Sequence, residues 1–166
     1  MIVNLSKLTS AMGKVQSFAQ DITKVPGVML NIGDNNIRVC YSDMGNRSII
    51  EEIDAVMSNE EQLGEIIVDY KLFMSIIDAC QPSGNVLCDD VTITIKDENI
   101  MSVEAVKYVK IPREDSEETD SKPVSKFRQE IRFSRPSDAP IKYGILSRMD
   151  YESIFGCALV RSTFYH

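Results

Sequence analysis

The chain has a single histidine, His166. Its interior therefore lacks the base that Ser-His-Asp and Cys-His chemistries need, and it lacks histidine-rich metal sites. Four cysteines (Cys40, Cys80, Cys88 and Cys157) are scattered with no CxxC pair and no metal-ligand spacing, and all have apolar neighbours. The expectation is reduced, buried thiols in a cytoplasmic protein, with no metal or other cofactor. Gly13, Gly27 and Gly33 are too isolated to build a phosphate-cradling loop. Adjacent carboxylates such as Glu51-Glu52 and Asp89-Asp90 would point to opposite faces of a strand and could not converge on one substrate atom. No apolar run approaches the roughly 18 residues that cross a bilayer. The opening MIVNLSKLTS has no basic region followed by an apolar stretch, so it is not a secretory signal. No membrane partner is expected, and a catalytic role has little to stand on.

What is present is ordinary globular composition: 43% hydrophobic and 26% charged residues, far from a disordered balance. At 166 residues there is room for one well-cored domain with material left over, or for two small ones. The net charge of −7 is a sum over unlike parts. Residues 126–166 hold seven basic and four acidic side chains, so the negative excess lies in 1–125, much of it in 43–69 and 114–120. A phosphate backbone responds to the local field, so acidity of the whole does not exclude a nucleic-acid partner.

A short extended segment at 2–5 precedes a helix in which Leu8, Met12, Val15 and Ala19 recur at helical spacing, with Ser6 as the expected cap. Val25-Pro26-Gly27 stops it. Three strand-like runs follow at 28–32, 37–41 and 48–57, joined by turns at 33–36 and 43–46. The pattern then restarts. Residues 65–68 are extended, Asp69 can cap, and Leu72, Phe73, Ile76, Ile77 and Cys80 form one apolar face. Strand runs at 85–88, 91–95 and 100–111 come next, the last broken by a turn or bulge. Aligning Ser6-Lys7-Leu8 with Tyr70-Lys71-Leu72 offsets the units by 64 residues. The fold class expected is α+β: duplicated β-α-β-β-β units with two helices packed on an antiparallel sheet.

Residues 1–113 thus read as a first domain. Residues 114–125, acidic and poor in apolar side chains, read as a solvated linker. Residues 126–166 read as the incomplete start of a second domain, with a strand at 127–133, a turn at 136–140, a strand at 141–146 and a helix capped by Ser147. A lone strand and helix cannot bury their apolar faces, so the chain reads as a truncated piece of a longer protein, the alternative being completion by another subunit.

Each helix opens with a basic residue opposite its apolar face: Lys7, with Lys14 two turns on, then Lys71, then Arg148. Such placement would gather positive charge on the helical side of a helix-on-sheet layer and suit sequence-independent contact with phosphates. A solvated lysine on a surface helix is the bland alternative for each residue taken singly. No aromatics interleave with these positions, so a single-strand stacking platform is not favoured.

The order strand, helix, three strands, repeated in an acidic body with basic helices, resembles the DNA sliding clamps, above all the first domain of the bacterial β clamp or a phage counterpart. The stretches that carry the resemblance are residues 8–18, 26–55 (PGVMLNIGDNNIRVCYSDMGNRSIIEEIDA) and 64–112. The resemblance implies a closed ring of six such domains, with helices lining the hole, that encircles double-stranded DNA and tethers a polymerase without catalysis or cofactor. It implies a DNA polymerase, a clamp loader and further copies of the chain as partners. It also places Lys7, Lys14, Lys71 and Arg148 toward the hole, and Lys24 at a position where clamps set a DNA-contacting basic residue. Clamp subunits have two or three domains where this chain has one and a fraction, so the usual pocket for polymerase peptides should be missing. The competing expectation is a stand-alone clamp-like interaction module that binds or inhibits a replication protein.

Overall fold

The computed structural model describes residues 1–19, 27–42, 48–57 and 64–135. Lys24, the turn at 43–46, and the strand, helix and Arg148 expected beyond 136 lie outside the described residues. The chain runs β1 (Ile2–Asn4), α1 (Leu5–Ala19), β2 (Gly27–Ile32), β3 (Asn36–Ser42), β4 (Ser48–Val56), β5 (Gly64–Asp69), α2 (Tyr70–Ala79), β6 (Asp90–Ile95), β7 (Ile100–Pro112) and β8 (Thr119–Ser134). The fold is α+β, and its element order reads β-α-β-β-β twice.

The strands close into an antiparallel barrel in the order β1-β4-β3-β2-β5-β8-β7-β6. Each unit's first strand does the joining. β1 pairs with β4 of its own unit and β6 of the other, and β5 pairs with β8 of its own unit and β2 of the other. The rungs correspond: Ile37–Ile53 answers to Met101–Ile131, Leu30–Val39 to Ile93–Val103, and Val3–Ala55 to Val68–Phe133. All twelve of these side chains are buried in one core cluster with the inner faces of both helices. Alternation along the strands supplies that inner face because successive side chains point to opposite sides.

Both helices start on a side-chain cap. Asn4 Oδ1 accepts from the Lys7 N–H at 2.9 Å, and Asp69 Oδ1 accepts from the Leu72 N–H at 3.0 Å. Asp69 caps as its position suggested, whereas Asn4, not Ser6, caps α1. This corrects the offset between the units to 65 residues, the distance from Asn4 to Asp69. Leu5, Leu8, Ala11, Met12 and Val15 then match Tyr70, Phe73, Ile76, Ile77 and Cys80, and all ten are buried. Burial of a side chain such as Phe73 or Ile77 stabilises the fold by about 1.5–3 kcal/mol. Leu72 leaves the apolar face and is 58% exposed.

The second unit's strands also differ from expectation. Residues 85–88 form turns and two isolated bridges, Ser83–Val86 and Leu87–Tyr108, and the acidic stretch is not a linker. It is the turn and first half of a long hairpin in which Pro112 pairs with Thr119 and Val106 with Lys126, across an irregularity at Lys107/Tyr108. Arg113 holds the turn together, 3.0 Å from Glu118 and 2.7 Å from Asp120. Along residues 119–126 the β8 arm is exposed on both faces, so it carries none of the apolar alternation that marks a strand. Residues 126–134, expected in a second domain, instead complete the barrel: Ile131 and Phe133 fill the core opposite Ile53 and Ala55.

Candidate nucleic-acid interface

The helices lie side by side and run in opposite directions, because Thr9 accepts from Gln81 Nε2 at 2.8 Å while Met12 O accepts from the Tyr70 hydroxyl at 2.8 Å. Their outer surface presents Lys7, Ser10, Lys14 and Ser17 from α1, and Lys71, Ser75 and Asp78 from α2. Lys7 and Lys71, each near the start of its own helix, consequently stand at opposite ends of this surface. Neither has an ion-pair partner among the described residues. Lys14 differs: its Nζ sits 3.2 Å from Glu51 Oε2 on β4. An exposed pair of this kind contributes about 0–1 kcal/mol, but it removes Lys14 as an uncommitted cation.

The corrected offset also changes which residues correspond. Lys7 occupies the place of Leu72, and Lys71 that of Ser6. The two lysines are therefore not one repeated position, although both face outward. Lys24 and Arg148 lie outside the described residues.

Cys40 and Cys80 are poorly suited to act as nucleophiles. Burial pushes Cys40 up to about 12, against a small opposing influence from Arg38, and pushes Cys80 up to about 11. Both thiols stay protonated at neutral pH. Among the described residues no group of three or more His, Cys, Asp or Glu side chains is placed to hold a metal ion.

The structure adds a feature that the sequence pattern did not show. A groove of about 640 Å³ runs between α2 and β8, floored by Leu72, Ile76, Phe127 and Ile131, with Asp69 and Arg132 at its rim. The corresponding space between α1 and β4 is bridged by Lys14 and Glu51. Their counterparts are Ala79 and Gln129, too short or uncharged to make such a bridge, and both line the groove. Beside it, β8 pairs with β5 only at Ile67–Ser134 and Val68–Phe133, so among the described residues most of that edge has no strand neighbour. The first unit shows the same arrangement, since β4 meets β1 only at Ile2–Val56 and Val3–Ala55. Leu72 was the available signal, but its grouping with Phe73, Ile76, Ile77 and Cys80 placed it on the buried face.

No protein-family model and no curated protein matches the chain.

Proposed function

We propose that the chain carries the first domain of a DNA sliding clamp, a processivity factor that encircles duplex DNA without sequence specificity and has no catalytic role of its own. The observation that carries this reading is the paired β-α-β-β-β units, whose two helices lie side by side with Lys7 and Lys71 turned outward. Such a surface meets the phosphate backbone through a few cations, each neutralised phosphate contributing a slope of about −0.9 to log K against log salt. Encirclement, rather than tight contact, then holds the protein on DNA.

Ring assembly is supported by the edges of β4 and β8, most of whose length has no strand neighbour among the described residues and could pair with an incoming strand. The α2–β8 groove would take an apolar side chain from that neighbour. In this reading the partners are duplex DNA, a DNA polymerase, a clamp loader and further clamp domains, in the cytoplasm of a bacterium or phage-infected cell. A stand-alone module that binds or inhibits a replication protein is the second reading, favoured by that groove alone.

The protein containing this chain is expected to stay on a nicked circular duplex through gel filtration at moderate salt and to leave when the circle is cut. Equal retention on circular and linear DNA overturns the clamp. Leu72→Lys is expected to reduce the solution mass to a single protomer and to abolish retention on the circle. A wild-type protein that is already a single protomer, and that binds a replication protein through the groove, establishes the second reading.

A further inference from the structure

A second groove, of about 360 Å³, lies on the outside of the barrel at the base of the β7–β8 hairpin. Its lining combines Ile2, Asp89, Asp90, Glu104, Val106 and Tyr108. The pairing explains the mixture. Val56, Ile2, Thr92, Glu104 and Arg128 stand in one row across β4, β1, β6, β7 and β8. Ile2 and Val106, 41% and 46% exposed, both line the groove, and Val56, 66% exposed, stands next to Ile2 across the β1–β4 pair. Single exposed aliphatics are normal on a protein surface, but here Ile2 and Val106 line a concavity.

One wall is rigid. Tyr108 and Leu87 exchange two backbone hydrogen bonds of 2.8 and 2.9 Å, and the Tyr108 hydroxyl donates to Asp89. The charge is one-sided: Asp89 and Asp90 have no cationic partner among the described residues, and Glu104 has only Arg128 at 3.5 Å. Lys126 is the one basic side chain in the lining.

The other unit has the same row on its own outer surface. There Ile67, Met29 and Cys40 take the places of Ile2, Thr92 and Glu104, and all three are fully buried. The row is thus a covered surface in one unit and an open one in the other.

We infer that this groove docks a basic extended segment of a partner protein, carrying aliphatic residues between lysines or arginines. The aliphatic side chains lie on Ile2 and Val106, and the flanking cations meet Asp89, Asp90 and Glu104. Charge complementarity of this kind steers the encounter and sets the register, while the aliphatic contact holds the segment. The site adjoins the start of α1, where the Leu5 N–H donates to the Asp89 carbonyl at 2.8 Å, and it does not depend on the clamp reading.

The test uses the full chain and two capped pentapeptides, Lys-Leu-Lys-Val-Lys and Glu-Leu-Glu-Val-Glu, followed by amide chemical shifts. The basic peptide is expected to give saturable shifts confined to the neighbourhood of Ile2, Thr92, Val106 and Tyr108, and the acidic peptide none. Asp89→Asn with Asp90→Asn keeps the hydrogen-bond acceptor for Tyr108 but removes two charges, and is expected to weaken binding about threefold to tenfold. Val106→Asn, on the exposed face of β7, should weaken it comparably while the melting temperature holds. Absent or scattered shifts, equal response to the acidic peptide, or unchanged affinity in the double variant overturns the inference.

Discussion

The Tyr70 hydroxyl donates a 2.8 Å hydrogen bond to the Met12 carbonyl, tying the first residue of one helix to the middle of the other. Tyr70 is fully buried, so this polar contact sits inside the apolar layer that joins the two units. Tyr70→Phe keeps the ring and removes the bond. It is expected to cost about 1 kcal/mol in urea unfolding, against about 3–5 kcal/mol for the cavity left by Phe73→Ala. Comparable losses in the two variants would contradict this order and make the hydroxyl bond worth as much as the ring packing.

The two caps should behave as one feature used twice. Asn4→Ala and Asp69→Ala each leave a helix-terminal N–H without its side-chain acceptor. Each is expected to lower stability by about 1 kcal/mol, whereas Ser6→Ala should change it little, since Ser6 is exposed and lies inside the helix, too late to cap. Circular dichroism during urea unfolding checks both. A larger effect at Ser6 than at Asn4 contradicts the assigned start of α1.

Cys40 links stability to alkaline pH. Its thiol is pushed from 9.0 up to about 12 by complete burial, so above pH 9 the unfolded chain loses a proton that the folded chain keeps. Stability is therefore fully present below about pH 9 and falls as pH rises from 9 toward 12. Between pH 8 and 10 the wild type is expected to lose about 1 kcal/mol more than Cys40→Ala. Cys80 and Tyr70 titrate in both proteins, so their contributions cancel in that comparison. Parallel pH profiles for the two proteins would contradict a buried, protonated Cys40.

Lys7→Glu with Lys71→Glu should leave the fold intact, since exposed substitutions shift stability by under about 0.5 kcal/mol each. On the proposed clamp reading, it is expected to shorten residence on circular duplex DNA and to reduce the salt slope by about 0.9 for each phosphate no longer neutralised. Lys14→Glu should add less, because Lys14 already faces Glu51. Combining Lys14→Glu with Glu51→Lys restores that pair and is expected to recover most of any loss seen in Lys14→Glu alone. Unchanged residence in the Lys7 and Lys71 double variant would remove the helical surface from DNA contact.

The α+β class, the elements from β1 to α2, the cap at Asp69 and most inward-facing residues were legible in the amino-acid sequence alone. Each of these is local, because a strand that buries one face must alternate and a helix that buries one face must repeat every three to four residues. Three features came only with the tertiary structure. The exposed hairpin of β7 and β8 has no buried face along much of its length, so nothing in residues 114–125 could announce it as structure rather than linker. The match between units required the caps and the strand rungs, because Leu8 aligned with Leu72 is as apolar a choice as Leu8 aligned with Phe73, and only burial separates them. The fates of Lys14 and Ala79, one bonded across 37 residues of chain to Glu51 and the other lining an open groove, depend on which strand lies beside each helix. Periodicity reports which face of an element is buried, whereas a partner brought near by the barrel's closure leaves no local trace.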